Sequence, residues 1–237
     1  MIIHPLHAWD LSPREAIRLQ EDLRQRVVIR PLRRAVRLVA GADVAYHRGS
    51  RMAFAGVVVM KLDNLQVVET VTAAAEVHFP YIPGLLTFRE GPVLLAAFEK
   101  LRTVPDAVLF DGQGIAHPRG MGIASHMGLW LQLSTAGCAK NRLVGEYEPV
   151  GEVKGAASPL RYHTATIGAV VRTRSGVKPV FVSPGHLTSV EDSVRLVLQA
   201  TGRFRLPEPV RLAHLLVNET RRKQEKMKRS LNELEAG

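Results

Sequence analysis

The hydrophobic pattern changes character several times along the chain. Leu11-Ser12-Pro13-Arg14-Glu15 reads as a helix opening, with Ser12 as N-cap, Pro13 in the first turn and Glu15 at the capping-box position. That helix is expected to run to about Val28, with Ile17, Leu19, Leu23 and Val27 partly on one side. Three strands with short turns should follow: Ala35 to Tyr46, Met52 to Lys61 and Gln66 to Val77. They predict an antiparallel meander. Pro80-Tyr81-Ile82-Pro83-Gly84 is then a rigid apolar loop, because each proline fixes its own φ and restrains the residue before it. Leu85 to Glu90 is expected as a short helix, interrupted at Gly91-Pro92 and resumed from Val93 to Arg102.

Ala107-Val108-Leu109-Phe110 has the length and apolarity of a buried parallel strand. Asp111 stands where that strand should leave the sheet, the usual place for ligand chemistry in an open α/β fold. A helix from about Met121 to Leu133 and a short strand from Thr135 to Leu143 come next. Arg161 to Thr173 and Val177 to Val182 read as strands joined by Arg174-Ser175-Gly176. Two helices close the chain, Ser189 to Ala200 and Pro209 onward. No repeat or linker divides the sequence. One domain over residues 1–223 is expected, followed by a charged extension, 224–237, that frays or stays solvated.

Composition narrows the partner. The 237 residues are 46% hydrophobic and 23% charged, an ordinary globular balance, yet the formal net charge is +10. That excess points to a polyanion, nucleic acid ahead of a membrane surface. Cys138 is the single cysteine, which excludes an internal disulfide, makes a thiolate metal cluster implausible and suits a reducing cytoplasm. The start lacks the charged leader and long apolar core of a signal peptide, and no apolar run approaches the roughly 20 residues of a membrane span. A cytoplasmic protein with no membrane partner is the expectation.

Three acids carry the candidate chemistry. Asp43 interrupts an otherwise apolar strand, and a lone buried carboxylate is costly unless paired or metal-bound. If the strand ending at Asp111 returns parallel beside the first, Asp43 and Asp111 become neighbours across the ladder. A helix crossing that pair would bring Glu90 to the same place. Like charges so close need a cation between them. With oxygen ligands only, a hard ion is expected, Mg²⁺ or Mn²⁺.

The order of these acids, and the loops around them, resemble the endonuclease V family, the deoxyinosine 3′ endonucleases with a ribonuclease H-like fold. The matching stretches are 39–46, 80–92, 110–119, 137–140, 182–186 and 211–214. They include the Pro80-Tyr81-Ile82-Pro83 loop and Phe110-Asp111-Gly112-Gln113-Gly114-Ile115-Ala116-His117-Pro118-Arg119. The resemblance implies a central mixed sheet, a three-strand meander plus parallel strands, flanked by helices. It implies metal ligation by Asp43 and Asp111, with Glu90 completing the cluster. Lys140 would stand near the scissile phosphate and His214 near the metal-bound water. Pro80, Tyr81, Ile82 and Pro83 would form a wedge between bases; the alternative is a turn packed on the core, and exposure of Tyr81 at the tip decides between them. Gly84, Leu86, Gly112, Gln113, Gly114, Gly122 and Ile123 would line the pocket of the everted hypoxanthine, with His117 close by.

The implied activity is DNA repair: hydrolysis of the second phosphodiester 3′ to deoxyinosine, leaving 3′-hydroxyl and 5′-phosphate ends, by a monomer. Two other functions are open on the sequence: cleavage of inosine in RNA, and non-catalytic binding of mismatched or branched nucleic acid. A general nuclease for hybrids, indifferent to the modified base, is a further possibility of the same fold.

Overall fold

A helix forms first where the capping residues dictate. In the computed structural model α1 spans Pro13–Arg24, and Ser12 and Glu15 close a reciprocal capping box. The meander follows as β1 (Leu38–Tyr46), β2 (Met52–Lys61) and β3 (Val67–Glu76), antiparallel throughout. Then come α2 (Leu86–Phe98), β4 (Ala107–Phe110), α3 (Ile123–Leu131) and β5 (Ser134–Ala139). The chain closes with β6 (Ala157–Tyr162), β7 (Ala165–Val171), β8 (Val180–His186), α4 (Val190–Gln199) and α5 (Glu208–Glu235). The structure describes residues 1, 3, 5–47 and 49–235, with the side chains of α5 described as far as Met227.

All eight strands make one mixed sheet in the order β3-β2-β1-β4-β5-β8-β7-β6. β4 is parallel to both β1 and β5, and every other pairing is antiparallel. β4 is buried along its whole length, as its apolar sequence requires. Helices cover both faces. α2 and α3 pack on one side around Phe98, Phe110 and Met127, while α4 and α5 pack on the other around Leu109, Val182 and Val210.

Three expectations are corrected. Gly91-Pro92 does not interrupt a helix: α2 runs through it. Gly91 lies under the Trp9 indole, where a Cβ would come within 2.4 Å of the ring, and Val93, Leu94, Leu95 and Phe98 are all buried. That burial outweighs the roughly 3 kcal/mol an internal proline costs. The stretch 161–173 is not one strand, because the chain turns at His163, whose φ is +52°, between β6 and β7. β6 carries Pro159 and is the last strand of the sheet, its outer edge met by the Glu146–Arg161 bridge, and such an edge strand tolerates a proline. β5 ends at Ala139, short of the expected Leu143, which frees 140–143 for the site below. The expected limit between body and tail, after Lys223, falls inside α5; the side chains of residues 228–237 lie outside the described ones.

Candidate active site

The parallel pairing of β1 and β4 aligns Ala42 with Phe110, so Asp43 and Asp111 occupy the next step of the same register. Both carboxylates emerge at one end of the sheet, largely shielded. Asp43 is held above the usual carboxylate range, first by burial and further by the charge of Asp111, while a hydrogen bond from His214 opposes this. Glu90, on α2, is pushed up to about 8, chiefly by burial and then by the charges of Asp43 and Asp111. The three acids are therefore close enough to feel one another.

Each acid has a partner. The hydroxyl of Tyr46, at the end of β1, donates to Glu90 Oε1 at 3.0 Å, and the Arg89 guanidinium lies 4.6 Å from the Tyr46 ring centre. Lys140, immediately after β5, is ion-paired with Asp111. His214, on α5, donates from Nδ1 to Asp43 Oδ2 at 2.7 Å. Gly41 makes that last contact possible, since a Cβ there would lie 2.1 Å from the Pro209 carbonyl carbon. Without a side chain at Gly41, the first turn of α5 rests directly on β1 and carries His214 down to Asp43. All five residues expected in the catalytic cluster thus meet at one place.

Among the described residues no three His, Cys, Asp or Glu side chains form a ready chelate. Tyr46, Lys140 and His214 each claim one carboxylate oxygen. The donor set nevertheless fits a hard divalent ion held by one or two carboxylates, water and substrate phosphate, the usual Mg²⁺ arrangement. Mutually repelling, partly desolvated acids with raised affinity for protons are a deficit of positive charge that such an ion relieves.

Beside the acids opens a cavity of about 390 Å³. It runs from Asp111 and Lys140 to Tyr81 and on to Arg142 and Leu143. Gly84, Leu86, Gly112, Gln113, His117, Gly122 and Ile123 line it, as the resemblance implies. Gly114 does not: it is packed behind the wall, its amide donating to Ser183 Oγ at 2.8 Å. Gln113 is informative, because its Nε2 donates to the Asn141 carbonyl at 3.0 Å while its buried Oε1 has no partner. A buried acceptor left unpaired is costly and reads as a place kept for a ligand donor.

The loop 80–84 meets the cavity at its rim. Pro80, Tyr81 and Pro83 are exposed, Tyr81 at 71%, whereas Ile82 packs partly into the Phe79, Leu85 and Phe88 cluster. Tyr81 is thus the free tip and Ile82 the anchor. The loop is clamped at Gly84, which adopts φ +81°. Its carbonyl accepts from Gln20 Nε2 at 3.0 Å, His117 Nε2 at 3.0 Å and Arg119 Nη2 at 2.9 Å. His117 also accepts from the Arg119 amide at Nδ1, and burial together with Arg119 holds its pKa at about 4. It is a neutral brace in the cavity wall.

Sequence reasoning missed Gln20 and Tyr46. Gln20 ties Gly84 and the Met121 carbonyl together and receives Arg119 Nε at 2.7 Å. The available signal was a polar residue on the buried face of α1, in line with Ala16 and Leu23. Tyr46 lies within the matching stretch at β1, but nothing in the sequence pairs it with Glu90.

Comparison with known proteins agrees with this geometry. The profile described as Endonuclease V matches residues 21–215. The chain belongs to the endonuclease V family. It is 48% identical over 217 residues to Endonuclease V of Dehalococcoides mccartyi, covering 92% of this chain and 97% of that one. The crystal structure of Endonuclease V from Streptomyces avermitilis superposes with a TM-score of 0.87 at 40% identity, covering 92% and 96% of the two chains. A Ciona intestinalis Endonuclease V, solved with DNA containing an inosine followed by a ribo-adenosine, gives 0.79 at 27% identity over 89% and 98%. The protein is accordingly a nuclease, a hydrolase of phosphodiester bonds, from a metal-dependent family. Among the described residues no helix is long and apolar enough to cross a membrane.

Proposed function

We propose that this nuclease repairs DNA by nicking beside deoxyinosine, at the second phosphodiester 3′ to the lesion. The observation that carries the reading is the adjoining of two things: a mutually repelling acidic cluster and a cavity lined by Gln113, whose buried Oε1 has no hydrogen-bond partner. Deamination of adenine replaces the exocyclic amine by O6 and turns N1 from an acceptor into an N1–H donor. Gln113 Oε1 can accept from N1–H of hypoxanthine but meets the lone pair of N1 in adenine. A flipped amide would set Oε1 against the Asn141 carbonyl, so the present orientation is the satisfied one. The Ciona relative bound to inosine-containing DNA supports the same substrate class.

Asp43 and Asp111 would hold Mg²⁺, with Mn²⁺ as a substitute, and Glu90 would add its charge nearby. Bound there, such an ion activates water and neutralises phosphate and leaving-group charge. Lys140, freed from Asp111, would meet the non-bridging phosphate oxygens as a point charge. His214 would orient the attacking water, its Nδ1 fixed by Asp43. Tyr81, unpacked and presented by two prolines, would fill the gap in the stack left by the everted base.

The test compares a duplex bearing one inosine with the same duplex bearing adenine, with Mg²⁺ present. The expected result is a single nick in the inosine strand, with 3′-hydroxyl and 5′-phosphate ends, and an intact adenine strand. Equal cutting of the two would overturn the reading. An inosine RNA of the same sequence, run alongside, is expected to be cut more slowly.

A further inference from the structure

β5 and β8 run antiparallel, and their ladder ends with Ala139 opposite Phe181. Pro179 stands immediately before β8 and has no N–H with which to extend that ladder. A side chain from elsewhere joins the two ends. Nη2 of Arg205 donates to the Lys140 carbonyl at 2.9 Å and to the Pro179 carbonyl at 2.7 Å, one hydrogen for each. Arg205 lies in the link between α4 and α5, and its own carbonyl accepts from Thr173 Oγ1 at 2.6 Å. Thr173 is fully buried, just beyond the end of β7. The guanidinium is therefore mounted on the body of the sheet and not on the segment it holds.

That segment carries two functional contacts. Lys140 brings the amine that is ion-paired with Asp111. Asn141, the next residue, offers its carbonyl to Gln113 Nε2 at 3.0 Å. The cation beside the acids and the amide in the cavity wall thus take their places from the same short length of backbone. This backbone lies past the last rung between β5 and β8, so the ladder does not fix it. Arg205 does.

We propose that Arg205 is a positioning residue for strand cleavage. By tying the Lys140 carbonyl to that of Pro179, it sets where the Lys140 amine meets the phosphate and where Gln113 meets the base. Arg205 acts through backbone and touches neither substrate nor metal. A displacement of about 1 Å in such groups can cost about 10²-fold in rate. The proposal rests on the roles given above to Lys140 and Gln113.

The test is a pair of double-substitution cycles on the full chain, with Mg²⁺ and the inosine and adenine duplexes. Arg205→Met keeps an unbranched side chain and removes its donors. It is expected to lower the single-turnover nicking rate about 10- to 100-fold and to lower the ratio of inosine to adenine rates. Binding of the inosine duplex in EDTA should stay within a few-fold. In a Lys140→Met background the further loss of rate should not exceed about two-fold, as for residues that act through one another. In a Gln113→Met background the ratio should fall no further. A merely structural defect would instead lower the rate by the same factor in every background. Thr173→Val removes the buried anchor of the Arg205 carbonyl without changing any charge, and should give the same pattern at smaller amplitude. It decides the matter if Arg205→Met alters the fold. Equal factors with and without Lys140, or weakened binding at an unchanged nicking rate, would overturn the proposal; the second result would make Arg205 a phosphate contact. A Lys140→Met protein that nicks like the parent, or a parent that cuts both duplexes alike, sinks the reading of the site and takes the matching half of the proposal with it.

Discussion

The hydroxyl of Tyr46 donates to Glu90 Oε1 across 3.0 Å, tying the end of β1 to the middle of α2. Burial and the neighbouring Glu90 push the phenol well above its ordinary range, so it stays a donor at any pH the protein meets. Its hydrogen bond favours the ionised form of Glu90, but desolvation and the two aspartates prevail and leave Glu90 at about 8. Between the ordinary carboxylate value, near 4.5, and about 8, the folded protein therefore keeps a proton that the unfolded chain releases. Stability from this group is complete below the lower value and is lost as pH rises through the upper one. Asp43, also raised, acts in the same direction.

Metal-free protein should thus unfold more easily at pH 8.5 than at pH 5, by a Glu90 contribution on the order of 4 kcal/mol. Glu90→Gln should flatten much of that dependence, and Tyr46→Phe should raise the Glu90 pKa further. Thermal melts across this range in EDTA check it. A flat profile for the parent protein would contradict the placement of Glu90 in the acidic cluster. Added Mg²⁺ should stabilise most at the alkaline end, where the acids are charged.

Gln113 should set the preference for inosine. Gln113→Met keeps the side-chain length but removes the unpaired acceptor and the bond to Asn141. The ratio of nicking rates on inosine and adenine duplexes should fall about 10- to 100-fold, the worth of one buried hydrogen bond with its desolvation penalty. An unchanged ratio would remove Gln113 from base reading.

Tyr81 should matter only where there is a stack to fill. Because its side chain is free of the core, Tyr81→Ala should leave the melting temperature unchanged. Nicking of an inosine duplex is expected to drop about 10-fold or more, given a few kcal/mol per unstacked step. Nicking of the same strand alone should hold within about two-fold. A similar loss on both substrates would make Tyr81 a contact to the strand rather than a wedge.

Most of the architecture was legible because it rests on local rules. The Ser12–Glu15 box, the short turns of the meander and the apolar run before Asp111 each specify their element without help from the rest. What was illegible depends on partners distant in sequence. Gly91 and Pro92 read as a break until Trp9 is found lying on them. The stretch 161–173 reads as one strand until the left-handed turn at His163 divides β6 from β7. The same division holds at the site. Asp43 lies inside a recognisable strand, and Asp111, Gln113 and Lys140 follow the ends of others, all within matching stretches. Gln20, more than sixty residues from Gly84 in sequence, declares its role only through the three-donor clamp on that carbonyl.

The central claim is that Asp43 and Asp111 work as one acidic site beside the cavity. The most direct measurement is the single-turnover nicking rate of Asp111→Asn on an inosine duplex, set against its binding of that duplex. Asn keeps the shape and removes the charge, so nicking should fall at least about 10³-fold, as for loss of a charge that acts in the transition state, while binding stays within a few-fold. Nicking within ten-fold of the parent protein, or equal loss of binding and nicking, would contradict it.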